Sequence, residues 1–524
     1  GARSHVVANC VIRNCYAQRG GGAAHLTVIA SVITNCTAKV AGGGTLDVTL
    51  RDSLVADCSS HNSSFGGGGA YSGSVSNCVF RGNYSINYGT ICNASKVIDS
   101  VVTNNTATGW GGGVSLCTLT FGTAPGKMVI ADNKAGRGGG VYNGVCSNAF
   151  VHSNKAANDS GGGFYRPSGV FGCIISNNVA GSHGGGIYED DYKAEIRDSV
   201  IVANKMTSTS ENKGGAGVYG CKRLVHCILK DNISSRDGGG CSVTTIATNC
   251  VFIGNIANFG SGGGAKSTKA YDCKFIGNWS DRAGSAASYS GGGALYSGYA
   301  EHCSFVGNFV TNGCWGGAVR ESKLYACALT NNYSYSGRGG ALYDTSTTNC
   351  LVIANGCCPN GRMTDRGGGA TGGWHYNTLF AYNTASGAGG GAYEGRFVNC
   401  TFTGNTNASA RAGIEGGALA VNVVSWGNVG GYDSVTTASN SCLQVKTLSA
   451  AHVDCVNVDP RLDAGLRPHA RACKHTGLFF DWMTDEADAR SKDLAGNPRI
   501  ADGAEKPNMG CYESLPIGMM LLLR

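Results

Sequence analysis

The chain has 524 residues, with 84 glycines, 8 prolines, 42% hydrophobic and 14% charged residues, and a formal net charge of +7. Glycine runs far above its usual ~7%, yet glycine plus proline stays below the roughly 25–30% of low-complexity disorder, so a chain that bends often around a real core is expected. No run approaches the roughly 18 apolar residues of a membrane-spanning helix, and the basic residues form no stripe, so neither a membrane-spanning segment nor nucleic-acid binding is expected.

The first residues, Gly1-Ala-Arg-Ser-His5, lack an initiating Met and already sit inside a repeat, which reads as a mature chain or a fragment. From there a six-residue phrase recurs: a small or sulfur residue, any residue, an apolar residue, two more, then Asn. The earliest copies end in cysteine, at Cys15, Cys36 and Cys58, and the first clear one is Cys78-Val-Phe-Arg-Gly-Asn83. Copies ending at Asn105, Asn133, Asn154, Asn178, Asn204 and Asn232 follow. Then come Cys250-Val-Phe-Ile-Gly-Asn255, Cys273-Lys-Phe-Ile-Gly-Asn278 and Cys303-Ser-Phe-Val-Gly-Asn308. The series closes with Asn332, Asn355, Asn383, Cys400-Thr-Phe-Thr-Gly-Asn405 and Asn428. These eighteen phrases stand 21 to 30 residues apart, and the third position is apolar in all but the last, where it is Ser425. Most are followed by a run of glycines and often an apolar–Tyr pair, as in Gly140-Val141-Tyr142.

That period suits one coil of three short strands and three bends, and it lacks both the amphipathic helices of helical repeats and a leucine-rich frame. The prediction is an all-β chain: a single right-handed parallel β-helix (solenoid) of about 18 coils over 1–430, with the last coils and a C-terminal cap in 431–524. Equivalent residues stack about 4.8 Å apart. The recurring Asn is expected at a left-handed bend, its amide bonding coil to coil in a structural ladder that includes Asn83, Asn178, Asn255, Asn278, Asn308 and Asn405. Of 25 cysteines, ten occupy the first phrase position and three replace the Asn. In-register stacking is too wide for a disulfide, whose Cβ atoms sit about 3.5–4.5 Å apart, so a ladder of small buried thiols is expected. Candidates for bridging lie off the ladder: Cys357 and Cys358, and Cys442, Cys455, Cys473 and Cys511. No CxxC or HxxxH spacing occurs, so no metal and no cofactor is expected.

In chain order, the first candidate site is the acidic cluster Glu189-Asp190-Asp191, followed by Lys193. A glycosidase needs two carboxyls facing one sugar. The neighbouring coils offer only Arg166-Pro167-Ser168 and Gly220-Cys221-Lys222 at the corresponding places, so these four residues are weak catalytic candidates and a solvated turn is expected. Four insertions follow the phrase Asn, at 205–213, 279–290, 356–366 and 406–415, and should leave the same edge. Trp279, Asp281, Arg282, Arg362, Asp365 and Arg411 would make that edge a partner-binding surface; tolerated surface insertion is the plainer alternative.

The phrases read FxxN at Phe80, Phe252, Phe275, Phe305, Phe380 and Phe402, and GGA followed by Leu or Val occurs at 292–295, 316–319, 339–342 and 416–419. This pairing resembles the repeats of the chlamydial polymorphic membrane proteins. The resemblance implies a surface-exposed, autotransporter-like passenger β-helix implicated in adhesion, secreted or held at the outer membrane of a bacterium. In that family a C-terminal β-barrel translocates the passenger, and no barrel segment is read here. The segments Asp459-Pro-Arg461, Asp493-Leu-Ala-Gly-Asn-Pro-Arg-Ile500 and Met509-Gly-Cys-Tyr-Glu513 are similar instead to the closing segment of secreted bacterial right-handed β-helix proteins. A cap is expected there. A calcium loop is the sharper alternative, weakened by Ala495 at a ligand position. The apolar tail from Leu515 to Arg524 would begin a sorting segment or simply end the chain. The expected function is a secreted or cell-surface adhesin or passenger-type binding protein with a host, matrix or cell-surface glycan or protein ligand, its oligomeric state open. The alternatives are a polysaccharide lyase or glycoside hydrolase on the same scaffold, and a structural envelope component.

Overall fold

With one exception, at Lys127 before Met128, each phrase is bracketed by two residues in the left-handed conformation. In the coil at 77–83 these are Asn77 (φ 51°) before Cys78 and Gly82 (φ 65°) before Asn83, with the strand Val79–Arg81 between them. The same places elsewhere carry mostly Asn, Asp or Gly, as at Asn104, Asp231 and Gly254, the residues that tolerate positive φ. The bend therefore falls one residue earlier than the sequence suggested. The ladder Asn is not the turning residue.

The computed structural model describes residues 5–157, 159–210, 213–281, 290–357, 366–408, 411–500 and 504–513. They form a parallel β-solenoid of about 17 turns, consistent with a right-handed parallel β-helix, with 2% helix. Each unit carries three sheets. The phrase sheet holds strands such as Val79–Arg81, the short sheet holds the two-residue strands after the ladder Asn, such as Tyr84–Ser85, and the return sheet holds those after the glycines, such as Val141–Tyr142 and Val145–Ser147. The eighteenth phrase is followed only by an isolated bridge, Val429 to Thr406, so it does not complete a short-sheet strand. No helix among the described residues is long and apolar enough to cross a membrane.

Contacts divide the chain into two compact units, Gly1–Asn258 with Gly264–Thr268, and Phe259–Gly263 with Lys269–Arg524. In the first, the third phrase positions pair in register, Phe80 with Val102 for example, and are fully buried through Ile130, Val151, Ile175, Ile201 and Leu229. In the second, the Phe275 and Phe305 rings stack 4.8 Å apart at 5°, and Phe380 and Phe402 stack 4.6 Å apart at 3°. Phenylalanine at successive third positions thus packs face to face at the coil rise.

The Asn ladder is continuous within each unit. In the first, side-chain amides link Asn83, Asn105, Asn133, Asn154, Asn178, Asn204, Asn232 and Asn255. In the second they link Asn278, Asn308, Asn332, Asn355, Asn383, Asn405 and Asn428. Asn154 is typical. Its Nδ2 donates to Asn178 Oδ1 (3.0 Å) and to the Ile130 carbonyl (2.9 Å), while its Oδ1 accepts from the Asn133 backbone N–H and amide (both 3.0 Å). Every polar atom of this buried amide is satisfied, as burial requires. Cysteine at the same place in the early coils keeps part of this pattern, Cys58 Sγ reaching the Ile33 carbonyl at 3.9 Å.

The glycine run is explained by the same stack. Gly138 has φ 61°, a Cβ on Gly139 would meet the Gly162 carbonyl at 2.6 Å, and one on Gly140 would meet the Asn154 amide carbon at 3.1 Å. The glycine motif and the FxxN motif travel together because one packs on the other.

Every cysteine among the described residues is a free thiol. The first-position thiols do more than fill space. Cys78 Sγ donates to the Ser76 carbonyl (3.0 Å), and the Cys78 N–H donates to Ser100 Oγ in the next coil (3.1 Å). Elsewhere sulfur takes the acceptor role, from Cys227 N to Cys250 Sγ (3.5 Å) and Cys327 N to Cys350 Sγ (3.4 Å). Serine and cysteine substitute for each other there because both donate backward and accept from a neighbouring coil.

The closing segment of the second unit folds back along the flank of the phrase sheet. Leu466, Leu494 and Tyr512 pack on outward-facing Leu351, Ile353, Leu379 and Ala381. Corner asparagines hold its backbone: Asn349 and Asn377 donate to the Ala489 and Arg490 carbonyls (3.0 and 2.9 Å), and Asn422 to the Leu478 carbonyl (2.8 Å). Within the segment, buried Arg499 pairs with Glu513 at 3.0 Å. Asp493 Oδ1 accepts from the Ala495 and Asn497 N–H groups, and its Oδ2 accepts from the Glu513 N–H (2.9 Å). The last two of the three motifs of the closing segment are two halves of one buried polar knot, and the Asp493 carboxylate is taken up in closing its own turn.

Candidate binding face

In the second unit the strands of the short sheet are two residues long, so one side chain points in and the next points out. In the second unit Ser280, Val310 and Ser334 are buried, and Trp279, Phe309 and Tyr333 are partly exposed. In-register pairing sets Trp279 beside Phe309 and Phe309 beside Tyr333. Three successive coils thus present an aromatic ring on one outer face. The Trp279 and Phe309 rings stack at 5.6 Å and 8°. Tyr335, 40% exposed, meets Phe309 edge-on at 5.7 Å and lies 6.1 Å from Tyr333. The next rung is Gly356, where a Cβ would come within 2.6 Å of the Tyr333 ring, so the phenol lies down over the glycine. Beside the strip, Asp281 accepts from the Thr311 hydroxyl (2.8 Å) and the Asn312 amide (2.5 Å). Exposed rings bordered by a fixed carboxylate, hydroxyl and amide suit a ligand with both apolar C–H surface and polar edges.

The strands Trp279–Ser280, Gly356–Cys357 and Thr406–Asn407 all belong to this sheet, so three of the insertions leave the second unit from one edge. Arg282, Arg362 and Asp365 lie outside the described residues. Arg411 is held by Glu415 at 2.9 Å, whose other oxygen accepts from the Gly389 N–H. The insertion at 205–213 belongs to the first unit and begins with the strand Lys205–Met206. Phe309, Tyr333 and Tyr335 were not singled out in the sequence. The signal was present: the residue directly after the phrase Asn is aromatic in three consecutive phrases, Asn278-Trp279, Asn308-Phe309 and Asn332-Tyr333.

The acidic cluster lies in the first unit and is engaged throughout. Glu189 is buried, its Oε1 accepting from the Asp191 N–H and its Oε2 from the Lys193 N–H (3.0 and 2.9 Å). Asp190 takes a two-pronged contact from Arg166 (2.6 and 2.8 Å) and a bond from the Tyr188 hydroxyl (2.9 Å). The Arg166 guanidinium holds its carboxyl below the usual range. Asp191 lies 4.0 Å from Arg166 and 3.7 Å from Lys193. Glu189 caps its own turn, and Asp190 ties neighbouring coils together. The tyrosines after the glycine runs are likewise committed to one another: Tyr165 and Tyr188 stack at 5.0 Å, and Tyr188 and Tyr219 at 5.4 Å and 14°.

Compared with known proteins, the chain matches no family model and no curated relative.

Proposed function

We propose that the protein is a secreted or cell-surface β-helix of the passenger type, akin to the polymorphic membrane proteins, which binds a host, matrix or cell-surface glycan or protein. Binding takes place through the outer face of the short sheet in the second unit. The observation that carries the reading is the aromatic strip of Trp279, Phe309 and Tyr333 on consecutive coils, with Tyr335 beside it, at the root of the edge from which three insertions leave. The paired FxxN and GGA motifs support placement at a bacterial surface. The test is retention of the full chain on immobilised glycans and matrix proteins. Trp279→Ala with Phe309→Ala should weaken retention at least about tenfold, a loss of roughly 1.4 kcal/mol, while the far-UV circular dichroism stays β-type. Undiminished retention by that variant would reject this face. Absence of any retention together with concentration-dependent scattering would favour a structural envelope role instead.

A further inference from the structure

The cysteines of the second unit fall into two geometric classes. Those at the first phrase position are locked by strand register. The Cys273 N–H donates to Cys303 Sγ at 3.3 Å and the Cys327 N–H to Cys350 Sγ at 3.4 Å. Parallel neighbours stay about 4.8 Å apart, wider than a disulfide allows between Cβ atoms. These remain thiols.

Cys442 and Cys473 are placed differently. Cys442 pairs with Val424, while its neighbour Leu443 continues the inward row of Phe402 and Ser425, so the Cys442 side chain faces out of the coil. Cys473 ends the 3₁₀ turn Arg471–Cys473 of the closing segment. The two are fully buried in one packed cluster with Val424 and Met509, and Cys442 Sγ donates to the Val458 carbonyl at 3.1 Å. No ladder register fixes their separation, because Cys473 sits on a short turn outside the sheets.

We propose that Cys442 and Cys473 form a disulfide that pins the closing segment to the last coil when the protein meets an oxidising environment. Two S–H bonds break and one S–S bond forms, releasing two protons and two electrons. The electrons go to a disulfide oxidant, either oxidised glutathione or a protein disulfide. One thiolate of the pair attacks that oxidant to give a mixed disulfide and one free thiol, and the other thiolate of the pair displaces the second. The inference stands apart from the ligand-binding reading, since it concerns the other flank and needs no ligand.

The test equilibrates the full chain with oxidised and reduced glutathione, quenches with acid, alkylates in denaturant and maps the peptides by mass spectrometry. The expected product is a Cys442–Cys473 cross-linked peptide lighter by two hydrogens than its two thiol halves, with Cys327 and Cys350 recovered alkylated. Exposed Cys10 reports whether the oxidant has acted. Recovery of Cys442 and Cys473 as free thiols after Cys10 has been glutathionylated overturns the proposal, as does a scrambled set of cross-links. A second readout follows cleavage within 459–513 by a protease. Oxidised protein should be cut at least severalfold more slowly than reduced protein, and Cys473→Ser should abolish the difference. Equal rates in both forms would also overturn it.

Discussion

Asn154 shows what a single rung contributes. Its amide takes part in four hydrogen bonds, two given and two received, in a site with no access to water. Asn154→Ala orphans the Ile130 carbonyl and both donors of Asn133, and a buried group left unsatisfied costs about 1–3 kcal/mol. The substitution should therefore destabilise the first unit by about 4 kcal/mol, read as lost amide protection in hydrogen exchange. Asn104 is the contrasting residue. It is exposed, with φ 54°, and its side-chain amide donates only to neighbouring Thr103. Asn104→Ala should cost only the left-handed strain of about 1 kcal/mol. Equal effects at the two positions would undo the distinction between ladder and bend. The thiols obey a similar rule. Burial pushes Cys78 up to about 12, so it stays protonated and donates to the Ser76 carbonyl. Cys78→Ser keeps donor and acceptor and should change the unfolding temperature little. Cys78→Val, similar in bulk but without a donor, should destabilise by about 1–2 kcal/mol. A valine variant as stable as the serine variant would mean that the sulfur acts only as filler. The phrase itself was legible because inward positions must be apolar. The division of labour between its fifth and sixth residues was not, since Asn serves at both and only the backbone angles separate them.

At the scale of the element, the informative coil is that of the last phrase, in the second unit, where Ser425 replaces the apolar third residue. The structure gives the reason: the inside of this coil is a polar plug. Ser425 Oγ accepts from the Asn428 amide (3.1 Å), and buried Asp433 accepts from the Ile414 and Gln444 N–H groups (3.0 and 3.2 Å). Burial pushes the Asp433 carboxyl up to about 7 from an ordinary value near 4. A carboxyl raised on folding is protonated more readily in the folded state than in the unfolded one. The plug is therefore strongest below about pH 4 and weakens as pH rises through about 7, by about 4 kcal/mol at most. Protection of the Ile414 and Gln444 amides, corrected for intrinsic exchange, should be higher at pH 5 than at pH 8. Asp433→Asn should remove most of that dependence. Higher protection at pH 8 in the natural chain would show the carboxylate to be the form the fold prefers. The exception at Ser425 could be seen in the sequence, but its cause could not, because Asp433 and Gln444 follow the last phrase with no spacing rule to mark them. The closing segment was legible in the same partial way. Its motifs announced an end, while its course back along the flank depends on corner asparagines such as Asn349 and Asn422, which look like ordinary turn residues in one dimension.

At the scale of the molecule, the repeat continues evenly past residue 258, and its spacing marks no division there, yet contacts separate the chain into two units. Repetition conceals such a boundary because each coil obeys the same local rules wherever it stands. In a stack of this kind each coil draws its stability from its neighbours, so cooperativity is limited in range and one all-or-none transition is not the expectation. Scanning calorimetry of the full chain should give a calorimetric enthalpy at least about twice the van't Hoff value. Two variants then assign the transitions. Asn154→Ala breaks the ladder of the first unit, and Asn308→Ala removes from the second an amide that donates to the Phe275 carbonyl and to Asn332. Each should lower one transition and leave the other within about 1 °C, since distant sites without shared partners act independently. A single transition of matching enthalpies, moved equally by both variants, would mean that the ladder couples the whole chain and that the division in contacts has no energetic counterpart.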